Sequence, residues 1–229
     1  MFFASAAYAD DESYVLALSW QPGFCASDSG SNNAECADSS TAQLTLHGLW
    51  PNADRNGDGQ LDSGDDYCLG ADRARLMAID RRDWTKLPPV TLSADLRRRL
   101  ADVMPGVRSQ LERHQWVKHG SCSGLGAERY FAAAVDLTRE ATASSFAEKI
   151  EAKAGMETAR NDLLRAFSAA FDGNSNALQL VCRRDGGIAY LTEIRLRLKS
   201  DEIEDGLQAA LDENARAKGN CPSRFRIDP

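Results

Sequence analysis

The sequence predicts an α+β fold in which a central antiparallel sheet packs against several helices. Stretches with the composition of β-strands lie near both ends of the chain, at residues 14–20, 44–49 and 177–198. Between them, residues 93–171 place apolar side chains at the spacing of buried helices. No linker, repeat or low-complexity segment interrupts the 229 residues, so we expect a single domain over residues 10–229.

Two strands are expected in the first quarter of the chain. Residues 14–20 are apolar and rich in β-formers, which indicates a central strand ended by Pro22-Gly23. Residues 44–49 indicate a second strand, on which we expect His47 to be held stiffly. Strict alternation would assign its side chains to two opposite faces, with Leu44, Leu46 and Gly48 on one and Thr45, His47 and Leu49 on the other.

Helices are expected in the middle of the chain and a hairpin after them. Strands at 177–183 and 188–198 flank an Asp-Gly-Gly turn and indicate the hairpin. The predicted helices cover the charged surface stretch 72–83, a segment capped by Ser93 and ended by Pro105-Gly106, a segment that begins near Val107, residues 128–142 and most of residues 146–171.

Composition excludes two classes of protein. The net charge of −7 argues against a protein that holds nucleic acid over a broad basic surface, although an enzyme can still engage a few phosphates locally. No stretch approaches the roughly 18 apolar residues of a membrane span, so we expect no membrane partner. We expect the chain to be a monomer.

The cysteines indicate an oxidising compartment. Their even number and wide scatter fit three disulfides better than a zinc site, and disulfides imply an oxidising compartment. Residues 1–9 agree, because they are apolar and end in Ala-Tyr-Ala, the form of a signal-peptidase site. We therefore expect residues 1–9 to be a signal-peptide remnant, with a frayed chain end as the alternative. The six cysteines are Cys25, Cys36, Cys68, Cys122, Cys182 and Cys221.

An acidic loop at residues 54–65 matches the calcium-binding pattern D-x-[DN]-x-[DN]-G. Its last position holds Asp65, which is shorter than the usual glutamate, and no helix pair flanks the loop, so a solvated turn is the alternative. A bound calcium ion would be structural, because a hard cation with oxygen ligands offers nothing to histidines. The ligands would be Asp54, Asn56, Asp58, Gln60, Asp62 and Asp65.

All three histidines lie in two short segments. One is residues 114–122, His-Gln-Trp-Val-Lys-His-Gly-Ser-Cys, and the other is residues 46–52, Leu-His-Gly-Leu-Trp-Pro-Asn. If residues 114–119 form a helix, Trp116 and Val117 can anchor it in a core, while the polar residues share the opposite face. If His47 faces that helix, all the imidazole rings of the chain meet at one place. The polar residues are His114, Gln115, Lys118 and His119.

These residue types suit the cleavage of a phosphodiester beside a ribose hydroxyl. One histidine would take the 2′ proton and another would protonate the leaving 5′ oxygen. Lys118 would neutralise charge on the phosphorane, a contribution of about 3 to 4 kcal/mol. The spacing of His114 and His119 does not fit the zinc motif H-E-x-x-H, and the chain has no G-x-S-x-G elbow. We expect no cofactor for catalysis and only a structural calcium ion.

The segments 46–52 and 114–122 resemble the two active-site segments of the ribonuclease T2 family, and residues 16–25 resemble its first strand. The resemblance runs on to the hairpin and implies a disulfide-bonded, ribonuclease T2-like fold. It implies a secreted or periplasmic endoribonuclease that needs no metal, an RNA phosphodiester lyase and hydrolase. Single-stranded RNA would be cut through a 2′,3′-cyclic phosphate to 3′-phosphate ends. The implied disulfides are Cys68–Cys122, Cys182–Cys221 and, from what remains, Cys25–Cys36.

The resemblance also implies a role for each site residue. His119 would be the general base, His47 the general acid and His114 a phosphate ligand, while Lys118 would stabilise the transition state. Trp50 resembles the family's base-stacking aromatic, and core packing beside its neighbouring proline is its alternative role.

Two positions depart from the family pattern. Gln115 stands where glutamate is common; its amide can donate a hydrogen bond to a phosphate oxygen but cannot carry a proton, so we expect activity with an altered pH dependence. Asn52 stands where a base-contacting aspartate is frequent, which leaves the base preference open.

Two alternative functions remain. They are a catalytically weakened RNA-binding or toxin-like protein on the same fold, and a calcium-dependent secreted module whose histidines are incidental.

Overall fold

The computed structural model describes residues 12–27, 32–37, 42–53, 66–173, 175–216 and 219–229, apart from the side chains of Glu12, Asn52 and Ala53. The predicted signal-peptide remnant at residues 1–9 and the predicted calcium loop at residues 54–65 lie outside the described residues. Both remain predictions.

Six strands form one sheet within the described residues, in the order β2-β1-β5-β6-β3 with β4 paired to β5. All strand pairs are antiparallel except a single parallel bridge between β5 and β6. The predicted α+β class, with its central antiparallel sheet, is therefore confirmed. The strands are β1 Glu12–Trp20, β2 Leu44–Ala53, β3 Glu157–Ala159, β4 Leu178–Asp185, β5 Ile188–Lys199 and β6 Arg224–Arg226.

Eight α-helices lie in the described part of the chain. Ser93 caps α3 as predicted, because its hydroxyl accepts a hydrogen bond from the backbone N–H of Leu96 at 3.2 Å. The helices are α1 Gln21–Cys25, α2 Arg73–Asp80, α3 Ala94–Val103, α4 Leu111–Lys118, α5 Ala127–Thr142, α6 Ser145–Glu151, α7 Arg160–Ala170 and α8 Leu207–Ala210.

Two helix predictions need correction. The helix predicted from near Val107 begins at Leu111, because residues 105–109 form a 3₁₀ helix and the next residue has a φ of 64°. The helix predicted over most of residues 146–171 is split into α6 and α7, because the chain between them turns at Gly155, with a φ of 77°, and then forms β3, which pairs with β6. A local helical pattern carries no sign of that distant strand partner.

The main core lies on one face of the sheet. Leu16 and Leu18 of β1 pack there with Tyr130 and Phe131 of α5, and all four side chains are buried. The apolar residues of β5 join the same core, so its alternating polar residues, including Glu193 and Arg195, belong to the opposite face. That opposite face carries part of the functional site.

A second cluster of buried residues joins the segment before α2 to α4. Tyr67, Leu76, Leu87 and Val117 form it, and Trp84 packs against it. The stretch predicted as a surface helix is therefore partly buried, because α2 packs against α4. Among the described residues, no helix has both the length and the apolar character needed to cross a membrane.

The strand that carries His47 is interrupted at that residue. Ala17 pairs with Gly48 and Leu18 pairs with Leu46, so His47 is the extra residue of a β-bulge. Strict alternation predicted that Leu49 would share a face with His47; instead the bulge returns Leu49 to the main core, where Leu46 also packs. The bulge resets the alternation, because it changes which face the following residues occupy.

Candidate active site

Two of the three histidines lie against the Trp50 indole, and the third lies beside one of them. The ring centroids of His47 and His119 lie 5.2 Å and 5.4 Å from that of Trp50, and the His114 ring lies 6.1 Å from the His119 ring. His47 on β2 and His119 at the end of the 114–119 segment therefore lie against the same indole ring. The ring nitrogen Nδ1 of each histidine lies within 3.2 Å of a carboxylate oxygen.

His47 is paired with Glu193 across the sheet. Its Nδ1 lies 2.6 Å from Oε2 of Glu193, and the other carboxylate oxygen accepts a hydrogen bond from Nε of Arg195 at 2.5 Å. The Arg195 guanidinium in turn lies over the Trp50 ring, 5.1 Å from its centroid. Burial alone would raise the pKa of Glu193, but the hydrogen bond from His47 and the charges of His47 and Arg195 outweigh burial and lower that pKa.

His119 is paired with Asp66, which Lys118 also approaches. Nδ1 of His119 lies 3.2 Å from one Asp66 oxygen, and Nζ of Lys118 lies 4.0 Å from the other. Burial lowers the pKa of His119 to about 4, because the charged imidazolium is poorly solvated there and Lys118 adds repulsion. Burial opposes ionisation of Asp66 as well, yet its hydrogen bond to His119 and the nearby positive charges lower the pKa of Asp66.

His114 is held by Asp80 and by an aromatic ring. Its Nδ1 lies 2.8 Å from one Asp80 oxygen, and the Tyr67 hydroxyl donates to the other at 2.7 Å. Burial raises the pKa of Tyr67, so this phenol stays a donor. The Trp84 ring stacks on His114 at 4.5 Å. These contacts fix both the plane and the Nδ1 side of the His114 ring.

Gln115 binds Trp50 and leaves one donor unused. The Trp50 indole donates to the Gln115 carbonyl at 2.8 Å, whereas the buried Gln115 amide nitrogen has no hydrogen-bond partner among the described residues. Gly48 makes this contact sterically possible, because a Cβ there would lie 2.0 Å from the Gln115 oxygen and 2.5 Å from the indole nitrogen. The glycine of segment 46–52 is therefore required for close approach.

The α4 helix ends inside the site. The last helical residue is Lys118, and His119 caps the helix, with its backbone N–H donating to the Gln115 carbonyl at 3.0 Å. Gly120 begins a 3₁₀ turn; a Cβ there would lie 2.6 Å from the Trp116 ring and 2.9 Å from the Tyr130 ring. Close packing against these two rings accounts for this glycine.

A tether holds Asp66 beside His119. Tyr67 adopts a φ of 60°, its backbone N–H donates to the Lys118 carbonyl at 2.8 Å, and the next residue, Cys68, forms a disulfide with Cys122. A left-handed backbone is uncommon for an aromatic residue and marks a site where surrounding contacts enforce the conformation.

The three disulfide pairings that the resemblance implied are confirmed. They are Cys25–Cys36, Cys68–Cys122 and Cys182–Cys221.

A scan against protein-family models matches residues 11–211 to the ribonuclease T2 family. The chain belongs to the ribonuclease T2 family. Ribonuclease I of Escherichia coli strain K12 is 34% identical over 96% of this chain and 87% of its own length. A ribonuclease of Aeromonas hydrophila is 29% identical over 61% of this chain and 53% of its own length. The chain is therefore a ribonuclease T2-family endoribonuclease.

Solved ribonucleases share its fold. RNase MC1 from bitter gourd seeds has a TM-score of 0.65 at 22% identity, and the match covers 94% of this chain and 99% of that one. The self-incompatibility-associated SF11-RNase of Nicotiana alata has a TM-score of 0.64 at 17% identity, with 96% and 98% of the two chains covered. These likenesses establish a ribonuclease T2-like fold.

The candidate active site contains most of the residues that the sequence singled out, and several more. The side chain of Asn52 and the loop 54–65 lie outside the description. Within the described residues, no group of three or more His, Cys, Asp or Glu side chains is arranged to hold a metal ion. The residues that sequence reasoning missed are Asp66, Tyr67, Asp80, Trp84, Glu193 and Arg195.

Proposed function

We propose that this enzyme cleaves single-stranded RNA by acid/base transphosphorylation with two histidines. His119 removes the 2′ hydroxyl proton, the 2′ oxygen bonds to phosphorus, and the bond from phosphorus to the 5′ oxygen breaks as His47 protonates that oxygen. The product is a 2′,3′-cyclic phosphate, which water then opens to a 3′-phosphate with the two roles reversed. The observation that carries the proposal is the pairing of a buried, neutral imidazole with a more exposed one at the same indole.

The different environments of the two histidines support different roles. A general base must be unprotonated, and the pKa of His119, about 4, keeps it so in mildly acidic and neutral solution. Asp66 takes the Nδ1 side of the ring, which leaves Nε2 to accept the proton. The His47 side chain is 34% exposed, and its Nδ1 lies 2.6 Å from a Glu193 oxygen, so its other ring nitrogen, Nε2, is left to donate a proton to the leaving oxygen.

The remaining polar groups suit the phosphate. Lys118 is a partly exposed cation beside His119, and we assign it to the charge that develops on the phosphorane. His114 is proposed as a phosphate ligand, with its Nδ1 side already occupied by Asp80. The Gln115 amide nitrogen is buried and lacks a partner among the described residues, so in our proposal it donates to a phosphate oxygen only after the side chain moves.

Trp50 and Asn52 remain our proposed base contacts. Trp50 is only 5% exposed and packs with Val15 and Ala17, which favours the alternative role of packing the site. A base that stacked on Trp50 would have to reach the part of the indole that this packing and Arg195 leave open.

Incubation of the oxidised protein with single-stranded RNA in excess EDTA tests the proposed function. We expect fragments that end first in 2′,3′-cyclic phosphate and later in 3′-phosphate, because the proposed chemistry needs no metal. Chromatography of the product ends is the measurement, and mildly acidic to neutral buffers are the conditions. Cleavage that occurred only after calcium was added would make the loop 54–65 essential and would contradict the metal-independent mechanism.

We also propose that the loop 54–65 binds a structural calcium ion and braces the base pocket beside Asn52. The support is the match of the loop to the calcium-binding pattern. The same EDTA samples test the idea through their melting temperature. Calcium removal that changed neither the melting temperature nor the activity would show that the idea is wrong.

A catalytically weakened RNA-binding or toxin-like protein on the same fold is the second candidate function. Gln115 is the observation that favours it, because an amide cannot transfer a proton. The presence of all three histidines, each with its carboxylate, favours catalysis. An absence of cleavage with and without calcium, together with RNA binding, would select this second candidate.

We propose further that residues 10–229 act as one ribonuclease T2-like domain, monomeric, and periplasmic or secreted. The three disulfides support an oxidising compartment. The signal-peptide form of residues 1–9 supports export.

A further inference from the structure

Two β-bulges accompany the contact between Glu193 and His47. His47 is the extra residue of the bulge on β2, and Thr192, next to Glu193, is skipped in the pairing of β5 with β4. Bulges re-aim side chains and are frequent beside active sites. Here each bulge lies at or beside one partner of a single hydrogen bond, the 2.6 Å contact between His47 and Glu193.

The two partners reach each other over the strand that separates them. His47 lies on β2 and Glu193 on β5, with β1 between them in the sheet. Strands two apart in a sheet are separated by about 10 Å, so both side chains must extend over β1. The β1 residues at these positions are small: Ala17 pairs with Gly48 on one side, and Ser19 pairs with Glu193 on the other. Small side chains at these positions leave room for the contact.

Glu193 is buried although it is charged. It is 7% exposed, and its two oxygens are divided between His47 and Arg195. A buried carboxylate is costly unless it is paired, and replacing such a pair by apolar residues is often neutral or stabilising. Stability alone therefore does not account for a carboxylate at this position, and a role in the reaction does.

We propose that Glu193 is a positioning residue for the general acid, a proposal that rests on the function proposed above. Its carboxylate accepts the Nδ1 proton of His47, so Nε2 is the nitrogen whose proton passes to the departing 5′ oxygen. When the bond from phosphorus to that oxygen breaks, the Nε2–H bond breaks with it, and His47 is left neutral with its proton on Nδ1. Arg195 holds the second Glu193 oxygen and so fixes the carboxylate toward His47.

The test compares two substrates that differ in their need for an acid. A dinucleoside monophosphate releases an alkoxide, which must be protonated, whereas a nucleoside 3′-(4-nitrophenyl phosphate) releases a stable phenolate. For Glu193→Gln we expect kcat on the dinucleoside monophosphate to fall about 10- to 100-fold, with KM within about threefold and kcat on the nitrophenyl ester within about threefold of the parent. Glu204→Gln, which removes the carboxylate of an exposed pair with Arg129, is the matched control and should change neither.

The outcomes distinguish a failure of the positioning role of Glu193 from a failure of the acid role of His47. If Glu193→Gln lowered kcat equally on both substrates, or on neither, the positioning role of Glu193 would be overturned. For His47→Asn, kcat on the dinucleoside monophosphate should fall further than for Glu193→Gln. On the nitrophenyl ester, kcat of His47→Asn should again be close to that of the parent. If His47→Asn lowered kcat equally on both substrates, the assignment of His47 as the general acid would be wrong, and so would the role of Glu193.

A second measurement needs no variant of Glu193. The chain has only three histidines, so ¹⁵N spectra of their rings can be assigned with His114→Asn and His119→Asn. We expect neutral His47 to carry its proton on Nδ1. A neutral ring protonated on Nε2 would overturn the proposal.

Discussion

Replacing His119 by asparagine is expected to lower kcat/KM on single-stranded RNA by about 10²- to 10⁴-fold, the usual contribution of a general base. Asparagine is polar and smaller, so it fits the buried site, but it cannot accept the 2′ proton. The measurement is the steady-state rate of the purified variant, with circular dichroism to show that it is folded.

His114→Asn is the matched control for that result. His114 lies in α4, which ends just before His119, and has its own carboxylate partner, yet we assign it to phosphate binding. We expect His114→Asn to raise KM and to lower kcat/KM by about tenfold, as for the loss of one hydrogen bond to a charged group. A His119→Asn enzyme no slower than His114→Asn would contradict the assignment of the base.

Removing the Cys68–Cys122 disulfide in a Cys68→Ser, Cys122→Ser variant is expected to cost about 4 kcal/mol of unfolding free energy by the loop-entropy relation. The loop is long, since the two cysteines are 54 residues apart. Activity should fall as well, because this disulfide tethers the segment that carries Asp66 to the turn after His119. Urea unfolding and RNA cleavage are the two measurements.

The Cys25–Cys36 disulfide provides the comparison. Its cysteines are 11 residues apart, so removing it should cost about 3 kcal/mol by the same relation. Neither cysteine is next to a histidine or its carboxylate in the sequence, and the folded variant should keep its activity. Equal losses of activity in the two variants would contradict the proposed tether.

The part of the site that could be predicted rests on residues close together in sequence. Histidines are rare in this chain, so their two segments were visible at once, and the apolar alternation of the hairpin indicated its strands. The bulge at His47 was not predictable, because it depends on how β2 pairs with β1. Local alternation therefore assigned Leu49 to the wrong face.

The carboxylate partners could not be selected from sequence alone. The chain has 34 acidic residues, and Glu193 lies 146 positions from His47, so composition and spacing do not identify it. Two signals were nevertheless present. Glu193 alternates with Ile194, Leu196 and Leu198 of β5, which assigns it to the face away from the core. Asp66 lies two residues before Cys68, whose implied disulfide leads to the turn after His119.

The dependence of kcat/KM on pH for a dinucleoside monophosphate tests the central claim most directly. In the free enzyme the base must be unprotonated, so activity is lost as the pH falls through the pKa of His119. Because burial lowers that pKa to about 4, we expect the acidic limb of the profile near pH 4, with activity retained at pH 5. An acidic limb near pH 6.5, the ordinary value for histidine, would contradict a buried neutral base at His119.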